Sequence, residues 1–140
     1  MKKGILIFAA AAIAAALAVS VLTREDSTPE QPEPVRVLSV SDRTDYFALH
    51  GWEAEELYCH AVLIPDEFSA AYEEYAEIQD KQGLPLREYA GQAGKLYVYR
   101  IRNYSPGGEE LRAELLVCAG TIAASLVYSE DIGGLRLPVA

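Results

Sequence analysis

Histidine and cysteine are scarce in this chain, and the chemistry they would supply is scarce with them. His50 and His60 are the only histidines, and Cys59 and Cys118 the only cysteines, among 140 residues. His60 adjoins Cys59, but no C-x-x-C, H-x-x-x-H or H-E-x-x-H spacing occurs. A zinc site therefore has no recognisable ligand set, and no metal is expected. The G-x-S-x-G elbow, the P-loop and the dinucleotide fingerprint are also missing, so no cofactor is expected. Serines are few, and none is paired with a histidine by any sequence logic. There is no internal repeat.

Positive charge is the next shortage. Twelve lysines and arginines face 21 acidic residues. Three of the twelve (Lys2, Lys3 and Arg24) stand at the N-terminal segment, so the remainder carries a formal −12. Such a domain is repelled by phosphate polymers, which excludes nucleic acid as a partner.

What the sequence does contain begins with an apolar run. Gly4–Leu22 is 19 residues without a charge, close to the roughly 20 that cross a bilayer. Lys2 and Lys3 precede it, and Glu25 and Asp26 follow, which places the N-terminus inside and the bulk of the chain outside. Residues 1–24 are thus expected to be a transmembrane signal anchor, with the membrane as a partner. The alternative is a cleaved secretory signal, for which Ala16-Leu17-Ala18 supplies a small-x-small site. No cysteine near its end offers a point for lipid attachment. Residues 25–35, within a stretch of three prolines and four acids, read as a solvated linker. Residues 36–140 form one extracytoplasmic domain. In that compartment Cys59 and Cys118 permit one disulfide, or else two buried thiols.

The domain is organised around Ile64–Gly83, which reads as one long amphipathic helix. Pro65 suits a first helical position, Asp66 and Glu67 suit the first turn, and Gly83 suits a left-handed cap. Phe68, Ala71, Tyr72, Tyr75 and Ile78 share a stripe at helical spacing, and Gln79 and Gln82 fall on the same side. A shorter helix over Ser41–Gly51 precedes it, capped by Ser41 or Asp42, and Trp52 follows as a core anchor. Arg36–Val40, Leu57–Ile64, Lys95–Tyr104, Leu111–Val117 and Thr121–Ser129 read as extended segments. The last three, joined by short turns, form an antiparallel meander. The expected fold is α+β: a meander of three to four strands covered by the one long helix, plus the short helix and a separate transmembrane helix.

Several residues are candidates for recognition. Gln79 and Gln82 need partners if they lie on a buried face, either a ligand or backbone. Tyr97 and Tyr99 alternate along one strand and can line a sugar or peptide groove. Arg100, Arg102 and Arg112 are placed on one face of the hairpin, able to hold a carboxylate or phosphate, or simply to pair with neighbouring acids such as Glu114. Glu53, Glu55 and Glu56 cluster before a strand; paired carboxylates do acid–base work, but a solvated acidic face is the commoner arrangement.

These residues, taken together, carry a resemblance. Arg43, Tyr46 and His50-Gly51-Trp52-Glu53 are similar to an opening R…GWE element. Ile64–Phe68, Tyr72-Glu73, Tyr75, Gln79, Gln82-Gly83, Tyr89 and Gly91 continue it. Tyr97, Tyr99, Ile101 and Asn103-Tyr104 resemble a tyrosine-rich strand ending in N-Y, and Leu115–Val117 with Gly120 fits a final hairpin. The chain thereby resembles the bacterial family catalogued as domain of unknown function 4830, found mainly in anaerobic Gram-positive bacteria. The likeness covers roughly residues 43–129. It departs at Ala124-Ser125-Leu126, where the family has a Gly-Gly-Asp-like element, and at Ile132–Leu135, where the family closes on a Gly-rich aromatic segment. The family brings no established activity, so the resemblance implies architecture and no mechanism.

The functional expectation is a membrane-anchored, extracytoplasmic, non-catalytic module that binds an envelope protein or cell-wall component. The alternatives are a cell-envelope hydrolase or transferase using Glu55 or Glu56 with a histidine, and a structural component of the envelope or spore coat.

Overall fold

The computed structural model describes residues 33–131 and 134–140, which belong to one compact unit, Pro32–Ala140. The expected anchor, its cleavage site and most of the linker lie outside the described residues. Among the described residues no helix is long and apolar enough to cross a membrane.

Helix α1 (Val40–Leu49) starts one residue earlier than its sequence suggests, because Ser39 and not Ser41 or Asp42 caps it. The Ser39 hydroxyl accepts from the Asp42 amide at 3.1 Å, and the Asp42 carboxylate accepts from the Ser39 amide at 3.2 Å. This reciprocal box satisfies two amides that the helix itself cannot. Strand β1 (Ala54–Leu63) follows, then α2 (Ala70–Gln82), β2 (Ala93–Ile101), β3 (Leu111–Cys118), β4 (Thr121–Ser129) and the two-residue β5 (Arg136–Leu137). The sheet is antiparallel in the order β1-β2-β3-β4-β5. The segment read as a first strand, Arg36–Val40, makes only a single bridge, Arg36 to Thr121.

The expectation of one long helix over a three- to four-stranded meander is therefore corrected in two respects. First, the helix is 13 residues and not 20. Ile64 is held as an extended residue: its amide donates to the Gln92 carbonyl at 2.9 Å, and its carbonyl accepts from the Gly91 amide at 3.0 Å. Helical structure begins only where Ser69 supplies a side-chain cap for the Tyr72 amide. Pro65, Asp66 and Glu67 tolerate a helix start but do not provide that bond. Gly83 does end the helix in the left-handed region, at φ +73°.

Second, the sheet has five strands, and both of its faces are apolar. Alternation sends Tyr99, Ile101, Leu111, Ala113, Leu115 and Val127 to one face, where they pack with Tyr46 and Phe47 of α1. Leu96, Leu116, Cys118 and Ala124 go to the other, where they pack with Ala76 of α2. The unbroken burial of Thr121–Val127 in β4 is the mark of a strand covered on both sides. One helix cannot cover two faces, so α1 and α2 take one each, giving helix, sheet and helix as three layers.

One turn and one bulge fix the register of β3 and β4. Ala119 and Gly120, at φ +48° and +75°, form the two-residue β3–β4 hairpin, and mirror-type turns suit the sheet's twist. Ala119 is the one non-glycine residue with positive φ among those described. An irregularity at Leu116/Val117 then lets Ala123 add an extra residue to β4.

Candidate functional site

The residues singled out in the sequence fall into three separate places. Tyr97 and Tyr99 belong to the α1 face. Tyr99 is wholly buried against Phe47, at 4.7 Å between ring centroids, and its hydroxyl donates to Glu56 at 3.0 Å. The Arg43 guanidinium lies 3.9 Å above the Tyr97 ring. Tyr99 closes the core, whereas Tyr97 is half-buried and lines, with Arg43, Lys95 and Val117, a cavity of about 340 Å³ beside the β3–β4 turn.

Gln79 and Gln82 lie at the free flank of β4, beyond the end of β5. Gln79 is fully buried, and its Oε1 accepts from the Ser125 amide at 2.8 Å. The Gln82 amide donates to the Ser125 carbonyl at 3.0 Å, and its oxygen accepts from the Val139 amide at 2.8 Å. The two glutamines thus replace the missing stretch of a neighbouring strand, and they hold α2 and the C-terminal tail to the sheet. Gln79 Nε2 is the one buried side-chain polar atom without a partner among the described residues.

Arg100 and Arg112 face each other across β2 and β3, on the α2 side of the sheet. Both are engaged with acids: Arg100 with Glu110 at 2.6 Å and Glu55 at 4.0 Å, Arg112 with Glu110 at 3.7 Å and Glu130 at 4.0 Å. Arg102 pairs with Glu55. Their partners are acids at the hairpin's end, and Glu114 is not among them. Glu56, on the other face, is held by Arg43 at 3.0 Å. Neither Glu55 nor Glu56 hydrogen-bonds a histidine among the described residues; His50 packs on Tyr46 and His60 stacks on Tyr58. The two cysteines are free and on opposite faces, Cys59 exposed on β1 and Cys118 buried beneath α2, so no bridge joins them.

A fourth place went unnoticed in the sequence. Between α2 and the sheet opens a cleft of about 390 Å³, lined by Ser69, Tyr72, Tyr75, Glu114, Tyr128 and Arg136 among others. That volume is within the range of small-ligand sites. Tyr72 and Tyr75 come from successive turns of α2, with ring centroids 5.5 Å apart. Glu114 projects from β3 on the face where Leu116 and Cys118 are core, and Tyr128 from the neighbouring β4. Arg136 is cross-strand from Tyr128 on β5.

Burial pushes the Glu114 carboxyl above its ordinary range, while the Tyr75 hydroxyl, Arg136 and His60 act in the opposite direction. The same burial, with the Glu114 charge nearby, raises the Tyr75 phenol well above its usual value and Tyr128 to about 12. A partly desolvated carboxyl ringed by aromatic hydroxyls is unfavourable for folding, and such groups concentrate where they do something else. Arg136 makes no hydrogen bond or ion pair among the described residues, and it is exposed. The cleft thus offers an acid at its base, three phenols around it and a guanidinium at its mouth. No group of histidine, cysteine and acidic side chains among the described residues could hold a metal ion.

One sequence signal pointed here. Glu114 is the polar residue in a strand whose two neighbours on the same face are the partly buried Arg112 and the buried Leu116. Alternation in the sequence reads Leu111, Ala113, Leu115 and Val117 as the inward set and leaves Glu114 as a pairing partner for the arginines, which hides its place in the cleft.

No family model, curated protein or solved structure matches the chain, so similarity adds nothing to this geometry.

Proposed function

We propose that the chain is a membrane-tethered, outward-facing, non-catalytic binding module of the bacterial envelope, and that the cleft beneath α2 holds its ligand. The observation that carries this reading is Glu114, a half-buried carboxyl kept among three tyrosines with Arg136 at the rim. An acid at the base and a free guanidinium at the mouth are complementary to a zwitterion. The ligand class that fits is an amino acid or the end of a short peptide, its ammonium group on Glu114 and its carboxylate on Arg136. Tyrosine rings add attraction for the ammonium group and apolar area for its side chain. The tether and the orientation rest on the apolar run behind Lys2 and Lys3.

Calorimetric titration of the detergent-solubilised full chain with a panel of amino acids and dipeptides tests this. Saturable binding of a zwitterionic member is expected. Glu114→Gln and Arg136→Ala should each weaken it about tenfold or more, since hydrogen bonds to charged groups are worth about 1.5–3 kcal/mol. A panel without saturable binding, or binding indifferent to both substitutions, would overturn the assignment.

A further inference from the structure

The order of the sheet leaves β1 at one edge, and no described strand pairs with its outer side. Proteins usually blunt such an edge with lysine, proline, a bulge or an inward charge. β1 has its acids and its bulge at one end only, at Glu55, Glu56 and the Glu56/Tyr58 irregularity. The remaining six residues, Tyr58–Leu63, contain no lysine, arginine, proline or acid. Tyr58 is 52% exposed and Leu63 72%.

The direction of the edge groups follows from the register. Ile64 exchanges hydrogen bonds with the chain at Gly91 and Gln92, so its backbone points inward. By alternation Val62, His60 and Tyr58 also point inward. Cys59, Ala61 and Leu63 therefore present their N–H and C=O groups outward.

We propose that two copies of the chain associate through β1, antiparallel, about a twofold axis at Ala61. In this register Ala61 faces Ala61 of the second copy, and Cys59 faces its Leu63. Each copy offers three outward residues, so the seam closes about six hydrogen bonds and leaves none of these groups open. Registers centred on Cys59 or His60 close fewer, because the bulge interrupts the strand beyond Tyr58. The side chains agree with the backbone. On one face the exposed Leu63 lies over the smaller Cys59, with the small Ala61 on the axis. On the other, His60 lies opposite Val62. Glu55 and Glu56 of both copies fall outside the paired stretch, so it contains no like-charge pair. The occupant is a second copy because the stretch is complementary to itself, large against small and apolar against apolar, about its own centre. The net charge of the domain opposes association, and raising the salt concentration should strengthen the dimer. This inference is independent of the cleft.

Cysteine crosslinking of the full chain in detergent, with Cys118 replaced by alanine, tests the register. Ala61→Cys combined with Cys59→Ser places two thiols opposite one another, within reach of a disulfide. The native Cys59 thiols are four residues out of register, on the order of 13 Å apart. Under copper–phenanthroline oxidation, Ala61→Cys is expected to form a covalent dimer at least tenfold faster than native Cys59. Ala61→Pro removes an amide that the alternation from Ile64 points outward, so the fold should survive while sedimentation shifts from dimer to monomer. Leu63→Lys should act the same way should the proline variant fail to fold. A monomer at all concentrations, a dimer unaffected by both substitutions, or preferential crosslinking at Cys59 would overturn the proposal.

Discussion

The two faces of the sheet are covered by helices of similar length and are built for different ends. The α1 face is closed at its centre and opens at its rim, where a cavity of about 340 Å³ lies beside Tyr97, Lys95 and Gly120. Phe47 and Tyr99 are wholly buried in contact, the Tyr99 hydroxyl is bound to Glu56, and the Tyr46 hydroxyl meets the Ser125 hydroxyl at 2.9 Å. The α2 face is closed only at one end, around Ala76, Leu116 and Ala124. At its other end Glu114, Tyr72, Tyr75 and Tyr128 line an open cleft. A polar group beside the first face has a partner nearby, whereas Glu114 is half-buried among phenols that only partly compensate its desolvation. The difference teaches where to look for function in a fold that carries no known motif: on the face that stability alone would have filled.

The comparison can be broken by substitution, and the largest effect belongs to the closed face. Phe47→Ala should cost about 3–5 kcal/mol, because the rigid sheet beneath cannot collapse into the void. Denaturant unfolding measures it; a loss below about 1 kcal/mol would mean that the α1 face is not the main core. Gln79→Leu, at the flank of β4, should cost about 1–3 kcal/mol by stranding the buried Ser125 amide. A neutral result would mean that the glutamine contributes nothing to holding α2 on the sheet. Ala119→Asn lies on neither face and serves as a control. Asn-Gly is the favoured pair for this turn, so stability should rise by roughly 0.5–1 kcal/mol with the cleft unchanged. Tyr128→Phe removes only a hydroxyl from the open face and should shift stability by about 0.5 kcal/mol or less. A large loss there would make the cleft part of the core.

Much of this was legible in the sequence, and the failures have physical causes. β3 and β4 lie within a residue of their expected limits, because the two-residue turn at Ala119 and Gly120 fixes the ends they share. Gly83 ended its helix as expected, since the positive φ it adopts is costly for other residues. The start of α2 was misplaced because Pro65, Asp66 and Glu67 are compatible with a helix that tertiary hydrogen bonds at Ile64 forbid. The architecture was misjudged for a related reason. Alternation in β3 was read as inside and outside, yet Leu116 and Cys118 on the even positions are as buried as Leu115. The same reading hides the cleft, because it leaves Glu114 as a pairing partner for the arginines. Arg100 and Arg112 share a face of the hairpin, and Arg112 lies across from Tyr128 at the edge of the cleft. Ion pairing with Glu110 and Glu130, invisible in the sequence, occupies it.

If Glu114 serves recognition at the expense of folding, the stability of the chain should depend on pH through this carboxyl. A carboxyl whose value is raised in the folded state binds more protons folded than unfolded. Its contribution to stability therefore falls as pH rises from the ordinary carboxylate range through the raised folded value. Unfolding of the wild-type chain and of Glu114→Gln should be compared at pH 4 and pH 8. The account predicts that the glutamine variant is the more stable at pH 8, and that its advantage shrinks toward pH 4. A variant less stable than the wild type at both pH values would show that the ionised carboxyl supports the fold, and would contradict the account.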